Sequence, residues 1–247
     1  MTDRGRVRVE PSHKQVRVML GGEIVANTTS PLLVWEVPYY PTYYFPKSDV
    51  RTDLLVETGE TKKSPSRGEA TQYTVKVNGS EGVAYTYKNP KLGELEDHYA
   101  FVWKTMDHWF EEDEEVWVHP RDPYTRIDIL PSSRRVRIEI DGETVADTTH
   151  ASFLYETGLP TRYYMPKMDV RMDLMSPTDT ETACPYKGVA RYWSLTVGGD
   201  THDDILWGYD SPLPESQKVA GMVAFYNEKV DIFVDEVLQE KPKTKFS

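Results

Sequence analysis

The chain has 247 residues, and 29 Lys and Arg against 40 Asp and Glu leave it a formal charge of −11, which argues against a nucleic-acid partner, whose phosphate backbone requires a net basic face. Mean hydropathy is low at −0.59, yet aromatics make up 12% with 16 Tyr and 6 Trp, a content that disordered acidic chains lack, so a folded protein is expected. No apolar stretch approaches the roughly 18–20 residues that span a bilayer, and the start MTDRGRVRVE is charged where a secretory leader is apolar, so the expectation is a cytoplasmic chain with no membrane partner.

In chain order the first signals are strands. VRVML (16–20) alternates apolar and polar residues and is followed by the turn pair at 21–22 and the run GGEIVANTT (21–29). TQYTVKVNG (71–79) repeats the pattern and ends in Asn78-Gly79, a pair that tolerates the positive φ of hairpin turns. Two segments look helical, residues 91–110 and 214–226, so at most one short helix is expected in each half. Between the halves lies an acidic run, Glu111 to Glu115, bracketed by Trp109, Phe110 and Trp117, with His108 and His119 nearby. Burial of those aromatics predicts that part of the run pairs with Arg121 or Arg126.

The same pattern then returns. Residues 6–29 align with 126–149 at a shift of 120, and 17 of the 39 positions from Arg17 to Leu55 are identical at that shift. Later segments follow at 122 and 124, so short insertions have entered the second copy. A period of 120 is too long for a solenoid unit and long enough for each copy to bury its own core. Two homologous domains are predicted, 1–122 and 123–247, each a small antiparallel β barrel or sandwich. The short, aromatic and charged joint around Pro120 and Pro123 predicts packed domains rather than a flexible tether. Two fused copies then form either a monomer with a pseudo-twofold domain pair or a homodimer.

Two motifs carry candidate chemistry. The first, Tyr-Tyr-Φ-Pro-Lys-x-Asp-Val-Arg-x-Asp-Leu, occurs at 43–54 and 163–174. If extended, it aims Asp169, Arg171 and Asp173 at one face, either a structural ion-pair strip or a site floor in which Arg171 holds a polar substrate and Asp169 acts as base. The second, Cys184-Pro185-Tyr186-Lys187-Gly188, is a tight turn that presents a phenol and an ammonium, with a plain β-turn as the alternative. The first copy has Ser64-Pro65-Ser66-Arg67-Gly68 there, so chemistry that needs the thiol, phenol and amine is confined to the second copy. Trp193, Trp207 and Tyr209 are expected to fill the core or to line a pocket mouth beside Lys187 and Arg171. A single cysteine and scattered histidines complete no zinc ligand set, and no Gly-rich phosphate loop is present, so neither a metal nor a cofactor is expected.

Taken together, Tyr-Tyr-x-Pro-x-x-Asp-Val-Arg, Cys-Pro-Tyr-Lys-Gly-x-Ala-x-Tyr-Trp, Trp207-Gly208-Tyr209 and Ala224-Phe225-Tyr226 resemble the domain of unknown function family numbered 427, in its tandem form. That resemblance implies a small β-rich, tent-like fold, and it alone places Glu156 and Tyr164 beside Lys187. The family is sometimes labelled nucleotidyltransferase-like. Here Asp169 and Asp173 are the carboxylates with strand spacing for Mg²⁺, and Arg171 between them supplies competing charge. The functional expectation is therefore a metal-free acid–base lyase, isomerase or hydrolase acting on a small polar metabolite. Its catalytic residues would be Lys187, Tyr186 and Asp169, and Arg171, Glu156, Tyr164, Cys184, Trp193, Trp207 and Tyr209 would bind the ligand. A non-catalytic ligand-binding protein and a structural partner module are the alternatives.

Overall fold

A computed structural model describes residues 7–244. Two compact units are present, Met1–Asp122 and Pro123–Ser247. The strands of the first are β1 (Arg8–Pro11), β2 (Val16–Leu20), β3 (Glu23–Thr28), β4 (Leu32–Val37), β5 (Tyr40–Pro46), β6 (Leu55–Ser64), β7 (Gly68–Val77), β8 (Ser80–Tyr87), β9 (His98–Phe101), β10 (His108–Glu111) and β11 (Glu114–Glu115). Those of the second are β12 (Ile127–Pro131), β13 (Val136–Ile140), β14 (Glu143–Thr148), β15 (Ser152–Glu156), β16 (Arg162–Pro166), β17 (Met175–Cys184), β18 (Gly188–Val197), β19 (Asp200–Gly208), β20 (Met222–Phe225), β21 (Asp231–Val234) and β22 (Val237–Leu238).

Each unit holds a seven-stranded and a four-stranded antiparallel sheet, and the strand orders are the same. The larger sheets run β1-β4-β5-β9-β8-β7-β6 and β12-β15-β16-β20-β19-β18-β17. The smaller run β11-β10-β2-β3 and, in the second unit, β14-β13-β21-β22. The sheets stay open at their edge strands, so the sandwich alternative describes the units and the closed barrel does not. Even irregularities are duplicated: β2 and β3 slip register between Val18 and Met19, and β13 and β14 between Ile138 and Glu139. The predicted Asn78-Gly79 turn forms with two consecutive left-handed residues, φ 49° and 87°, and Asp141 (φ 52°) with Gly142 (φ 82°) makes a turn of the same kind in the second unit.

Period-2 alternation gives the large sheet two different faces. In the second unit Phe153, Met165, Leu195, Leu206, Val223 and Phe225 point toward the small sheet and join Val136, Ile138 and Ile232 in the inter-sheet core. Burying each such side chain stabilises the unit by about 1.5–3 kcal/mol. The other face carries Leu154, Tyr164, Tyr192, Trp207, Tyr209 and Ala224, a second and more aromatic cluster. The first unit repeats this with Val34, Tyr44, Tyr87 and Ala100.

Two expectations need correction. Residues 91–110 and 214–226 are not helices: they contain β9, β10 and β20 with short 3-10 turns, and no helix among the described residues reaches seven residues. Strands β9 and β20 lie inside their sheets and are buried on both faces, so they read as continuous apolar runs whose period does not separate strand from helix. The segment carrying Asp169, Arg171 and Asp173 is not extended either. It folds as two 3-10 turns, Lys167–Asp169 and Met172–Leu174, around Val170, which bridges to Ala146 of the small sheet. Chain that must leave β16, touch the small sheet and return as edge strand β17 cannot stay straight.

Among the described residues no helix is long and apolar enough to cross a membrane.

Candidate functional site

The outer face of the large sheet gathers polar side chains among its aromatics. In the second unit Glu156, at the end of β15, forms an ion pair with Lys187, in the turn between β17 and β18. Both are nearly enclosed, with side-chain exposures of 9% and 11%. Glu156 points this way because it continues the alternation of Leu154, and strand order then places β16, β20 and β19 between it and the turn.

The turn itself is gripped from outside. Leu213 N–H donates to the Lys187 carbonyl (3.1 Å), and the Ser216 hydroxyl donates to the Tyr186 carbonyl (3.4 Å). Gly188 has a φ of 97°, and a Cβ there would lie 3.4 Å from the Ser211 carbonyl oxygen, so the turn requires glycine for its conformation. These contacts fix the position of the lysine backbone before any ligand arrives.

Tyr164, on β16, accepts a hydrogen bond from the Trp207 indole N–H at 3.1 Å. Burial raises its phenol above the ordinary tyrosine value, and the charge of Glu156 adds to that rise. Tyr209 is raised further by burial, then by the neighbouring Tyr164, Cys184, Tyr192 and Glu156. Burial therefore favours the protonated form of both phenols. Cys184 is a free, half-buried thiol in the same neighbourhood. Among the described residues the Tyr209 hydroxyl, the proton of Tyr164 and the second carboxylate oxygen of Glu156 meet no protein partner.

The first unit builds the equivalent place differently. Arg67, at the position of Lys187, pairs with Glu36 at 2.7 Å. Here the carboxylate is crowded with donors: Tyr44 donates to Glu36 at 2.5 Å and Tyr85 to the same oxygen at 3.0 Å. Burial, with Glu36 close by, pushes both phenols far above their ordinary value. Tyr85 occupies the position of Trp207, and an indole there has turned its N–H to the phenol instead of the carboxylate.

The structure thus brings together Lys187, Glu156, Tyr164, Cys184, Trp207 and Tyr209. It sends the other candidates elsewhere. Arg171 is half exposed and pairs with Asp173 (2.7 Å) and Glu143 (3.8 Å). Asp169 accepts from the Thr148 hydroxyl at 2.6 Å, beside the small sheet. Trp193 faces the inter-sheet side, where the Lys167 ammonium sits 4.7 Å from its ring. Tyr186 is half-buried, with its carbonyl held by Ser216. In the acidic run, Glu111 is buried and accepts from Tyr43 (2.6 Å) and Lys14 (2.5 Å), while Arg121 pairs with Glu114 (3.0 Å). Arg126 pairs with Asp128 (2.9 Å) instead.

Sequence reading missed one group at the site's edge. Arg162, next but one to Tyr164 and on the same face, binds Glu228 bidentately at 2.7 and 2.8 Å, with the Glu228 carboxylate wholly enclosed. Its guanidinium also lies 5.4 Å from the Trp207 ring. The detectable signal was a charged residue at an inward strand position where the first copy has Thr42. Two open depressions flank the Lys47–Asp49 turn of the first unit and are lined by neither Glu36 nor Arg67. Among the described residues no group of three or more His, Cys, Asp or Glu side chains is placed to hold a metal ion.

No curated protein matches the chain. A family model described as a domain of unknown function, DUF427, matches residues 8–112 and again 128–236. With most of its length matched, and with the two matches falling on two units of one topology, the chain belongs to the DUF427 family and carries its domain twice.

Proposed function

We propose that the second unit is a metal-free acid–base catalyst for a small polar metabolite, with Glu156 as base and Lys187 as acid or anion clamp. The observation that carries this reading is the carboxylate oxygen of Glu156 with no protein partner among the described residues, where two phenols donate to the corresponding oxygen of Glu36 in the first unit. Lysine also supports it, since an ammonium can release a proton and the guanidinium of Arg67 cannot. Tyr164 and Tyr209, kept protonated by burial, supply neutral donors. Asp169 and Tyr186, expected as catalytic from sequence, have no part in this reading, and neither do Arg171 and Trp193. A net charge of −11 supports a cytoplasmic protein that meets neither nucleic acid nor anionic membrane.

The closed state of the Glu156–Lys187 pair favours a second reading, reversible ligand binding without turnover. Incubating the chain with pooled small polar metabolites and following their loss by NMR separates the two. Lys187→Ala should cost on the order of 10²-fold in rate. Lys187→Arg should be as damaging if a proton moves, and partly tolerated if the residue only holds an anion. Equal losses from Lys187→Ala and Arg67→Ala would overturn the assignment to the second unit.

A further inference from the structure

The hydrogen-bonding inventory of the second unit's site restricts what it can take. Glu156 and Lys187 cancel in charge, so a neutral ligand enters an almost enclosed site without burying an uncompensated ion. The Trp207 N–H occupies the oxygen of Tyr164 and leaves that phenol's proton unengaged, and the nine-tenths buried Tyr209 adds a second hydroxyl with no protein partner among the described residues. Two phenols that feel the charge of Glu156 therefore share its surroundings with one free acceptor, the carboxylate oxygen that Lys187 leaves open. The complement of that set is an acceptor oxygen close to a removable proton.

Resting on the acid–base reading of this same site, we propose that its substrate class is a neutral carbonyl compound with a removable proton on the carbon beside the carbonyl, and that the site stabilises the enolate. Glu156 takes that proton. The C–H electron pair becomes the new carbon–carbon π bond, and the carbonyl π pair moves onto oxygen, which is held by the protons of Tyr164 and Tyr209. As Glu156 becomes neutral, the charge of Lys187 is left to balance the enolate, so the site's total charge is zero before and after the step. Return of the proton to the other face of the same carbon completes an epimerisation. The first unit lacks this capacity because Tyr44 and Tyr85 already donate to Glu36.

The test uses the full chain and 4-nitrophenol, whose phenolate imitates an enolate oxygen and absorbs differently from the phenol. Glu156→Gln, which imitates the protonated carboxylate, should bind the phenolate at least about tenfold more tightly than the wild type, and Glu36→Gln should give no gain. Adding Tyr209→Phe to Glu156→Gln should remove about tenfold of that affinity. Tyr164→Phe is the second probe, scored only alongside an unchanged circular dichroism spectrum because it strips the Trp207 N–H of its acceptor. If the gain vanishes with Lys187→Ala but survives both phenol substitutions, the enolate assignment is overturned while the acid–base pair stands. If no variant alters binding, both fall.

Discussion

Glu36 in the first unit and Glu156 in the second stand near the ends of equivalent strands, and their surroundings differ in the direction of a few hydrogen bonds. Glu36 collects the Tyr44 and Tyr85 hydroxyls on one oxygen and the charge of Arg67 beside the other, so both of its oxygens are occupied. Glu156 has Lys187 alone, because tryptophan at position 207 donates to Tyr164 rather than to the carboxylate. A phenol exchanged for an indole thus removes a donor from the carboxylate and turns it to the neighbouring phenol oxygen. The second unit steadies that indole with a feature the first does not have, the Arg162–Glu228 pair beside the Trp207 ring.

The largest expected effect comes from breaking that pair. Arg162→Leu strands the enclosed Glu228 carboxylate and should destabilise the second unit by about 3–5 kcal/mol in urea unfolding, whereas Thr42→Leu in the first unit strands no charge. A loss below about 1 kcal/mol would mean that the two outer faces are held in the same way. The pair also sets a pH dependence. Burial opposes the charge of Glu228, but Arg162 and Thr244 outweigh it and hold the carboxyl below the usual glutamate range. Its folded pKa is therefore lower than its unfolded value near ~4.3, so its stabilisation is fully present above that value and is lost as the pH falls through the folded pKa. The thermal unfolding temperature should fall on acidification below about pH 4.3, and Glu228→Gln should flatten that part of the profile.

A smaller effect sharpens the comparison directly. Trp207→Tyr should let the introduced phenol donate to Glu156 as Tyr85 does to Glu36, closing the second site at a stability change of about 1 kcal/mol. Phenolate binding in the Glu156→Gln background should then fall, and unchanged binding would show that the indole does not control the site. The smallest effect is expected at the duplicated 3-10 turns. Arg51 and Arg171 are half exposed and pair with Asp53 and Asp173 at the same 2.7 Å in contact with solvent, so Ala at either position should leave the urea unfolding midpoint essentially unchanged. A loss of turnover in Arg171→Ala comparable to that of Lys187→Ala would return the Asp-Arg-Asp motif to the site.

Much of the architecture is local and can be read from the chain. The offset of 120 residues, the alternation of VRVML and VRIEI, and the Asn-Gly and Asp-Gly turns each depend on near neighbours, and they predict two antiparallel units of one kind. The tight Cys184–Gly188 turn, and its contrast with Ser64–Gly68, were equally legible. What the alternation does not encode is strand order. Glu156 and Lys187 lie 31 residues apart and Arg162 and Glu228 66 apart, and they meet only because β15, β16, β20, β19 and β18 follow one another across the sheet. The same gap explains the misplaced ladder: Asp169 and Arg171 were grouped with Lys187 by chemistry, but Val170 docks on the small sheet and carries them away. Periodicity assigns each side chain a face, which is a property of neighbouring peptide units, while convergence on one point is a property of the order in which distant strands pair.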